Sequence, residues 1–361
     1  MRVLLVNDIA PDAGWGTETH LRRLASGLAE AGDEVELFAG EVEHRGAAKL
    51  LDLWDPFARK SLRKRAEAFR PDVVHHLNVV RELSVSVLGV PSGTPTVMTV
   101  LDQRILGAGD YDRRSVRGAL DAYVKRPFDT KVARRRLDAS IAVSEPIAAK
   151  LRAAGFRGVE HVPVYALDPV VPLQPVTANR DVAYAGRLTP DKGIGVLVEA
   201  FESVATRFAD ARLLVAGDGS ERQRVADLAA RLGPDRVQLL GRLDEAGISR
   251  LFAAARVVVL PSLPSVRPEG SPLTAVEAAL HGRPIIASDD PGLVEIVRVL
   301  GAGGCVPAGN AGALADALTE VLTDDDLARR WGEAARTAAA ATYAPARVTE
   351  RVRAVHERVA R

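Results

Sequence analysis

Two carboxylates stand eight positions apart in RPEGSPLTAVEAALHGRP, residues 267–284, a segment that is otherwise mostly apolar. Glu269 precedes a short helical stretch and Glu277 lies within it. Burying a charge is costly unless it is paired or hydrogen-bonded, so these glutamates are either held by neighbours or reserved for a ligand. Ser271 suits a helix N-cap, Pro272 the first helical position and Gly282 the residue past the end. Free amides at Ser271, Leu273 and Thr274, together with the helix dipole, then favour an anion. Carboxylates beside an anion hole fit a ligand with both phosphate and vicinal hydroxyls, such as a ribose or hexose. The plainer alternative is that Glu269 is solvated and Glu277 pairs with an arginine.

A second constellation is YAGRLTPDKGIG, residues 184–195, where a strand delivers Arg187 to its end and Lys192 follows five residues later. Two cations there can grip a diphosphate, each charge-assisted bond contributing about 1.5–3 kcal/mol. A solvated turn with two surface cations is the alternative. A third is APDAGWGTETHLRRLA, residues 10–25, a glycine-containing loop before a helix with Thr17 as its expected N-cap. Gly14 and Gly16 would let the backbone approach a ligand. Thr19 breaks the Gly-x-Gly-x-x-Gly fingerprint, which argues against a nicotinamide enzyme. No Gly-x-Ser-x-Gly elbow occurs, so a Ser-His-Asp hydrolase is not supported.

These residues need elements to hold them. Runs at 2–7, 34–39, 72–77, 95–100 and 139–144 read as strands buried on both faces, with an amphipathic helix over 18–32. After a proline-rich stretch at 166–181 the pattern restarts, with strands expected at 181–187, 211–220, 236–241, 256–262 and 283–288. The fold class is therefore α/β, as two successive doubly wound, Rossmann-like domains with ligand at the carboxyl ends of the strands. The expected boundaries are 1–168 and 178–344, with an Arg-rich helix at about 345–361 packing back on the N-terminal domain. The chain of 361 residues is 47% apolar and 26% charged, with a formal charge of +1. No global field draws it to nucleic acid. A single cysteine, Cys305, excludes an internal disulfide framework and a Cys-based zinc site and fits a reduced, cytoplasmic setting. No apolar run approaches the length of a membrane span.

Taken together, GWGTE (14–18), GRLTPDKG (186–193) and the Glu-x7-Glu segment resemble the family-4 retaining glycosyltransferases of the GT-B fold. That resemblance implies a transferase facing a nucleotide-diphosphate sugar (UDP-, GDP- or dTDP-linked) across a cleft between the two domains. It implies that Arg187 and Lys192 hold the diphosphate, Glu277 the ribose and Glu269 the sugar hydroxyls. Gly16, Gly270, Ser271, Leu273 and Thr274 would complete the donor site, and Arg187, Lys192 and Glu269 would carry catalysis. No metal and no other cofactor is implied. The N-terminal domain would take a hydroxyl acceptor, with Glu18, His76, Leu101, Asp102 and Ser144 near the acceptor or sugar.

One position departs from the family pattern. VMTVLDQR, residues 97–104, carries Leu101 where the family typically has histidine approaching an outer sugar hydroxyl. Leucine offers no hydrogen bond. Either the donor lacks that hydroxyl (a 6-deoxy sugar or pentose), or His75, His76 or Asp102 substitutes, or transfer is lost. His75 and His76 end a strand, so one should face the crevice and its neighbour should not. Basic stretches at 59–70 and 113–136 read as solvated helix faces or as peripheral contact with an anionic membrane at its inner face. A nucleotide-sugar epimerase and a non-catalytic nucleotide-sugar-binding protein are the competing functions.

Overall fold

A computed structural model describes residues 1–8, 16–40, 53–77, 79, 83–101, 104–106, 121–166, 169–265, 269 and 273–361. The chain divides into two units, Met1–Tyr165 with Pro345–Arg361, and Ala166–Ala344.

In the first unit six parallel strands form one sheet: β1 (Arg2–Asn7), β2 (Glu34–Ala39), β3 (Val73–Leu77), β4 (Thr96–Val100), β5 (Ala139–Ala142) and β6 (Val159–His161). Their order is β2-β1-β3-β4-β5-β6. Parallel strands covered on both faces need continuous apolar runs, and Val3, Leu4, Leu5 and Val6 of β1 are all fully buried. On one face Val3, Leu5 and Val97 meet Leu21, Leu24 and Leu28 of the helix Gly16–Glu30 and Val348, Val352 and Val355 of the helix Pro345–Ala360. On the other, Leu4, Val6 and Val74 meet Leu62, Ala66 and Phe69 of the helix Pro56–Phe69. β2 corrects the expectation of two-sided burial: it is a sheet edge, and none of its six residues is fully covered.

The C-terminal helix packs on this first unit, as expected. Polar contacts fix it: Tyr165 donates its hydroxyl proton to Thr349 Oγ1 at 3.0 Å, His356 Nε2 meets His75 Nδ1 at 2.9 Å, and Arg353 Nε donates to Asp33 Oδ2 at 2.9 Å.

The second unit repeats the plan with β7 (Asp181–Ala185), β8 (Arg212–Ala216), β9 (Val237–Gly241), β10 (Val257–Leu260), β11 (Ile285–Ser288) and β12 (Gly303–Val306), all parallel. The order is β12-β11-β10-β7-β8-β9. The chain winds outward from β7 to β9, then returns to lay β10 against the opposite side of β7. In open α/β sheets such a reversal leaves a crevice beyond the strand ends, and ligands bind there.

Candidate functional site

The loops that follow β7 and β10 flank that reversal, and the sequence ties them together. Lys192 ends a short 3-10 turn, Pro190–Lys192, and Gly193 follows with φ +68° as the cap of the helix Ile194–Arg207. A Cβ on Gly193 would stand 1.9 Å from the Pro261 carbonyl oxygen, so only glycine lets the two loops approach this closely. Leu263 N–H then donates to the Asp191 carbonyl at 2.8 Å. Tyr184, at the end of β7, donates its hydroxyl to the Arg187 carbonyl at 2.8 Å and fixes the near side of the turn.

This clamp brings Lys192 Nζ onto Glu269 Oε1, although the residues lie 77 positions apart. Their side chains are 22% and 14% exposed. The same carboxylate oxygen accepts the Ser262 hydroxyl at 2.6 Å, and the Glu269 backbone N–H donates to Asp290 Oδ2 at 3.0 Å. Arg187 Nη2 donates to Asp191 Oδ2 at 2.9 Å. Both predicted cations are thus neutralised by carboxylates of their own unit. The buried Tyr184 hydroxyl registers that charge: its pKa is pushed up by burial first, then by Glu269 and Asp191.

The helix that follows β10 spans Leu273–Leu280, and Gly282 takes φ +65° just beyond it, as a C-terminal glycine should. Thr274 donates to the Ala185 carbonyl at 3.4 Å, which orients this helix against the end of β7. Glu277 is half-buried and lies three residues on, on the same helical face. Gly270 and Ser271, and Pro272 with them, lie outside the described residues, as does Asp102.

In the first unit Gly16 opens the helix Gly16–Glu30, so Thr17 and Glu18 sit in its first turn and Thr17 is not the cap. Leu101 is half-buried immediately after β4. Ser144 precedes the helix Glu145–Ala153, is 3% exposed, and its hydroxyl makes no hydrogen bond among the described residues. His75 and His76 are both 0% exposed, which corrects the expectation that one of them faces an open crevice. They lie on a central strand covered on both faces. His75 bonds Thr99 Oγ1 at 2.7 Å and His356 at 2.9 Å. Neither ring nitrogen of His76 has a partner among the described residues, and burial pushes its pKa down to about 3.

Two family models match in tandem, Glycosyltransferase Family 4 over residues 15–164 and Glycosyl transferases group 1 over residues 173–338. The chain is a family-4 glycosyltransferase. A phosphatidyl-myo-inositol mannosyltransferase of Mycobacterium leprae is 33% identical over 183 residues, covering 50% of this chain and 47% of that one. The protein of the same name from Mycolicibacterium smegmatis is 27% identical over 358 residues, covering 91% of this chain and 86% of that one. Sucrose-phosphate synthase from Thermosynechococcus elongatus superposes with a TM-score of 0.80 at 22% identity, over 99% of each chain. Anabaena HepE in complex with UDP-glucose does so with a TM-score of 0.72 at 20% identity, again over 99% of each. At these identities the structural likeness shows the GT-B fold.

In this glycosyltransferase the candidate site brings in three residues that sequence reasoning missed. Asp191 lies in the turn Pro190–Lys192, four residues after Arg187, a spacing that offered a local sign of the pair, whereas nothing local marks Ser262 as a partner of Glu269. Asp290 carried a readable mark, since Asp before Pro291 is a helix N-cap pattern, but that pattern says nothing of Glu269. Among the described residues no group of three His, Cys, Asp or Glu side chains could hold a metal ion, and no helix is long and apolar enough to cross a membrane.

Proposed function

We propose that this glycosyltransferase moves a sugar, with retention at the anomeric carbon, from a nucleoside diphosphate donor to a hydroxyl acceptor. The observation that carries this reading is the meeting of Lys192 and Glu269 beyond the ends of β7 and β10, where the strand order reverses. A cation for phosphate and a carboxylate for hydroxyls, held side by side, match the two halves of a nucleotide sugar. That HepE was crystallised with UDP-glucose, and that relatives are named mannosyltransferases, supports the same class of donor.

In the reaction the bond from C1 to the β-phosphate oxygen breaks. The acceptor oxygen bonds C1 on the same face, and its proton passes to the leaving phosphate. Arg187 and Lys192 stabilise the charge that grows on that phosphate, a role in which one well-placed donor is worth about 10²–10³ in rate. With the amides of the helix Leu273–Leu280 they supply the charge for which other transferases use a metal. Glu269 accepts hydrogen bonds from the sugar, and Glu277 from the ribose. The unit Ala166–Ala344 binds the donor and the first unit the acceptor. Leu101, apolar and half-buried, favours a 6-deoxy sugar or pentose. The first unit also suits peripheral contact with an anionic surface. Its helix Pro56–Phe69 turns Leu62, Ala66 and Phe69 inward and leaves Phe57 72% exposed beside Lys60 and Lys64.

A donor panel tests the reading. Uridine, guanosine and thymidine diphosphate sugars, with 6-deoxy and pentose members, are screened for binding and slow hydrolysis, with Arg187→Ala as control. Binding and consumption of one donor, lost in the control, is the expected result. Epimer formation without acceptor would make the protein an epimerase, and binding without consumption would make it a binding protein. No binding across the panel ends the donor-site assignment.

A further inference from the structure

Asp290 is 0% exposed and follows β11, the strand beside β10. Its carboxylate has two separate duties. Oδ1 accepts the Gly292 N–H at 2.8 Å and caps the helix Pro291–Leu300, while Oδ2 accepts the Glu269 N–H at 3.0 Å. Capping accounts for the first bond and not for the second. A serine or asparagine caps a helix equally well without placing a charge in the interior. Burial pushes the Asp290 pKa up and the Glu269 charge adds to that, while backbone bonds from Glu269, Gly292 and Leu293 oppose the shift.

Gly292 leans on the same loop from the other side. A Cβ there would stand 2.6 Å from the Glu269 carbonyl oxygen. The backbone of residue 269 is therefore fixed at its N–H by Asp290 and at its C=O by the bare face of Gly292. Its side chain is fixed by Lys192 and by Ser262, whose own carbonyl accepts the Ser288 hydroxyl at 2.6 Å. Strand β11 and the turn after it thus contribute Ser288, Asp290 and Gly292 to holding one glutamate. The backbone of the turn that carries Arg187 and Lys192 is set by Tyr184, Asp191, Pro261 and Leu263, and Asp290 reaches Lys192 only through its pair with Glu269.

We propose that Asp290 is a positioning residue for Glu269: by holding the Glu269 N–H it aims that carboxylate at the donor sugar, and so governs sugar recognition and transfer separately from nucleotide binding. This rests on the donor-site reading given above. A group misplaced by about 1 Å loses about 10²-fold in rate, so the effect is large where the sugar is read and small where only phosphate is held.

The test uses the full chain with Asp290→Ala, Asp290→Asn and Gly292→Ala. Asn keeps the shape but can accept only one of the two N–H bonds; Gly292→Ala keeps the Asp290 carboxyl group and presses mainly on the Glu269 carbonyl, 2.6 Å from the added Cβ against 3.3 Å for Asp290 Oδ1. Calorimetry measures binding of UDP, GDP and dTDP and of the corresponding nucleotide sugars, alongside slow donor hydrolysis. Nucleotide affinity is expected to hold or to rise by up to about fivefold in these variants, because a displaced Glu269 competes less for Lys192. The affinity added by the sugar, and the hydrolysis rate, should fall together by about 10- to 100-fold in Asp290→Ala and Gly292→Ala, less in Asp290→Asn. Loss of the helix cap should lower the melting temperature of Asp290→Ala by about 2–4 °C. A lower melting temperature with an unchanged ratio of sugar-nucleotide to nucleotide affinity reduces Asp290 to a cap and overturns the proposal. Equal loss of nucleotide affinity overturns it too. If the wild-type chain binds no nucleotide, the donor-site reading fails and this falls with it; if the wild type binds and consumes a donor and the variants match it, this inference alone fails.

Discussion

Glu269→Gln should separate nucleotide affinity from turnover, because Glu269 touches both the proposed phosphate cation and the proposed sugar pocket. Without ligand, Lys192 donates to Glu269 in a pair whose side chains are 22% and 14% exposed. A diphosphate must draw Lys192 away from that partner. Lys192 keeps its charge opposite an amide oxygen, so Glu269→Gln removes only the ion-pair attraction, which weakens the competing pair by about 1 kcal/mol. That is about fivefold tighter binding of UDP or GDP, at 1.4 kcal/mol per tenfold. The sugar loses charge-assisted bonds in the same substitution, so donor hydrolysis or transfer should drop by about 10- to 100-fold. Titration calorimetry with nucleoside diphosphates and a coupled nucleotide-release assay read the two effects. Asp191→Asn provides a graded contrast at the other cation. There Arg187 is 36% exposed, solvent screens the pair, and the gain in nucleotide affinity should not exceed about twofold. Nucleotide binding that is unchanged or weaker in Glu269→Gln would refute the exchange, since Lys192 would then not be moving from carboxylate to phosphate.

Acid should unfold the first unit through its buried histidines. Burial pushes His356 down to about 4 and His75 well below its usual range. The unfolded chain, with histidines near 6.5, therefore takes up protons first as the pH falls. The stabilisation is complete above about pH 6.5 and is lost progressively toward pH 4, His356 alone accounting for about 2 kcal/mol at pH 5. Urea unfolding at pH 7.5 and 5.0 checks this, and an identical drop in His356→Gln would show that another group is responsible. Vesicle co-sedimentation checks the surface proposal: Lys60→Glu with Lys64→Glu should weaken binding to phosphatidylserine vesicles at least about tenfold, at about 1 kcal/mol per basic residue, and equal binding to neutral vesicles would refute it.

The central strands were legible because burial on both faces favours a continuous apolar run: β1, β7 and β10 carry one, and β3 and β4 interrupt theirs only with the buried His75, His76, Thr96 and Thr99. The marginal strands were not. β6 has three residues, and β12 reads Gly-Gly-Cys-Val because a Cβ on Gly303 would stand 1.9 Å from the Ile285 carbonyl oxygen. The requirement that makes β12 a strand neighbour also removes the β-branched side chains by which a strand is recognised.

The site divides along the same physical line. Arg187, Lys192, Glu269 and Glu277 were legible because strand ends and helix starts are set locally, and charged residues at such points are unusual enough to notice. Which of them would touch was not legible, because that is decided by sheet order. β7 and β10 are neighbours only because the chain reverses its winding after β9. Gly193 shows how the two levels join: on its own it reads as a helix-start glycine, and only the arrival of Pro261 at 1.9 Å from its missing Cβ explains why no other residue serves. Asp290 is the stronger instance, since its local duty as a cap is satisfied by the sequence around it and its second duty depends on a loop 21 residues away. A carboxylate that satisfies a local rule hides any longer-range one. A buried cap that is charged where a neutral residue would do is the mark by which such a second duty can be sought.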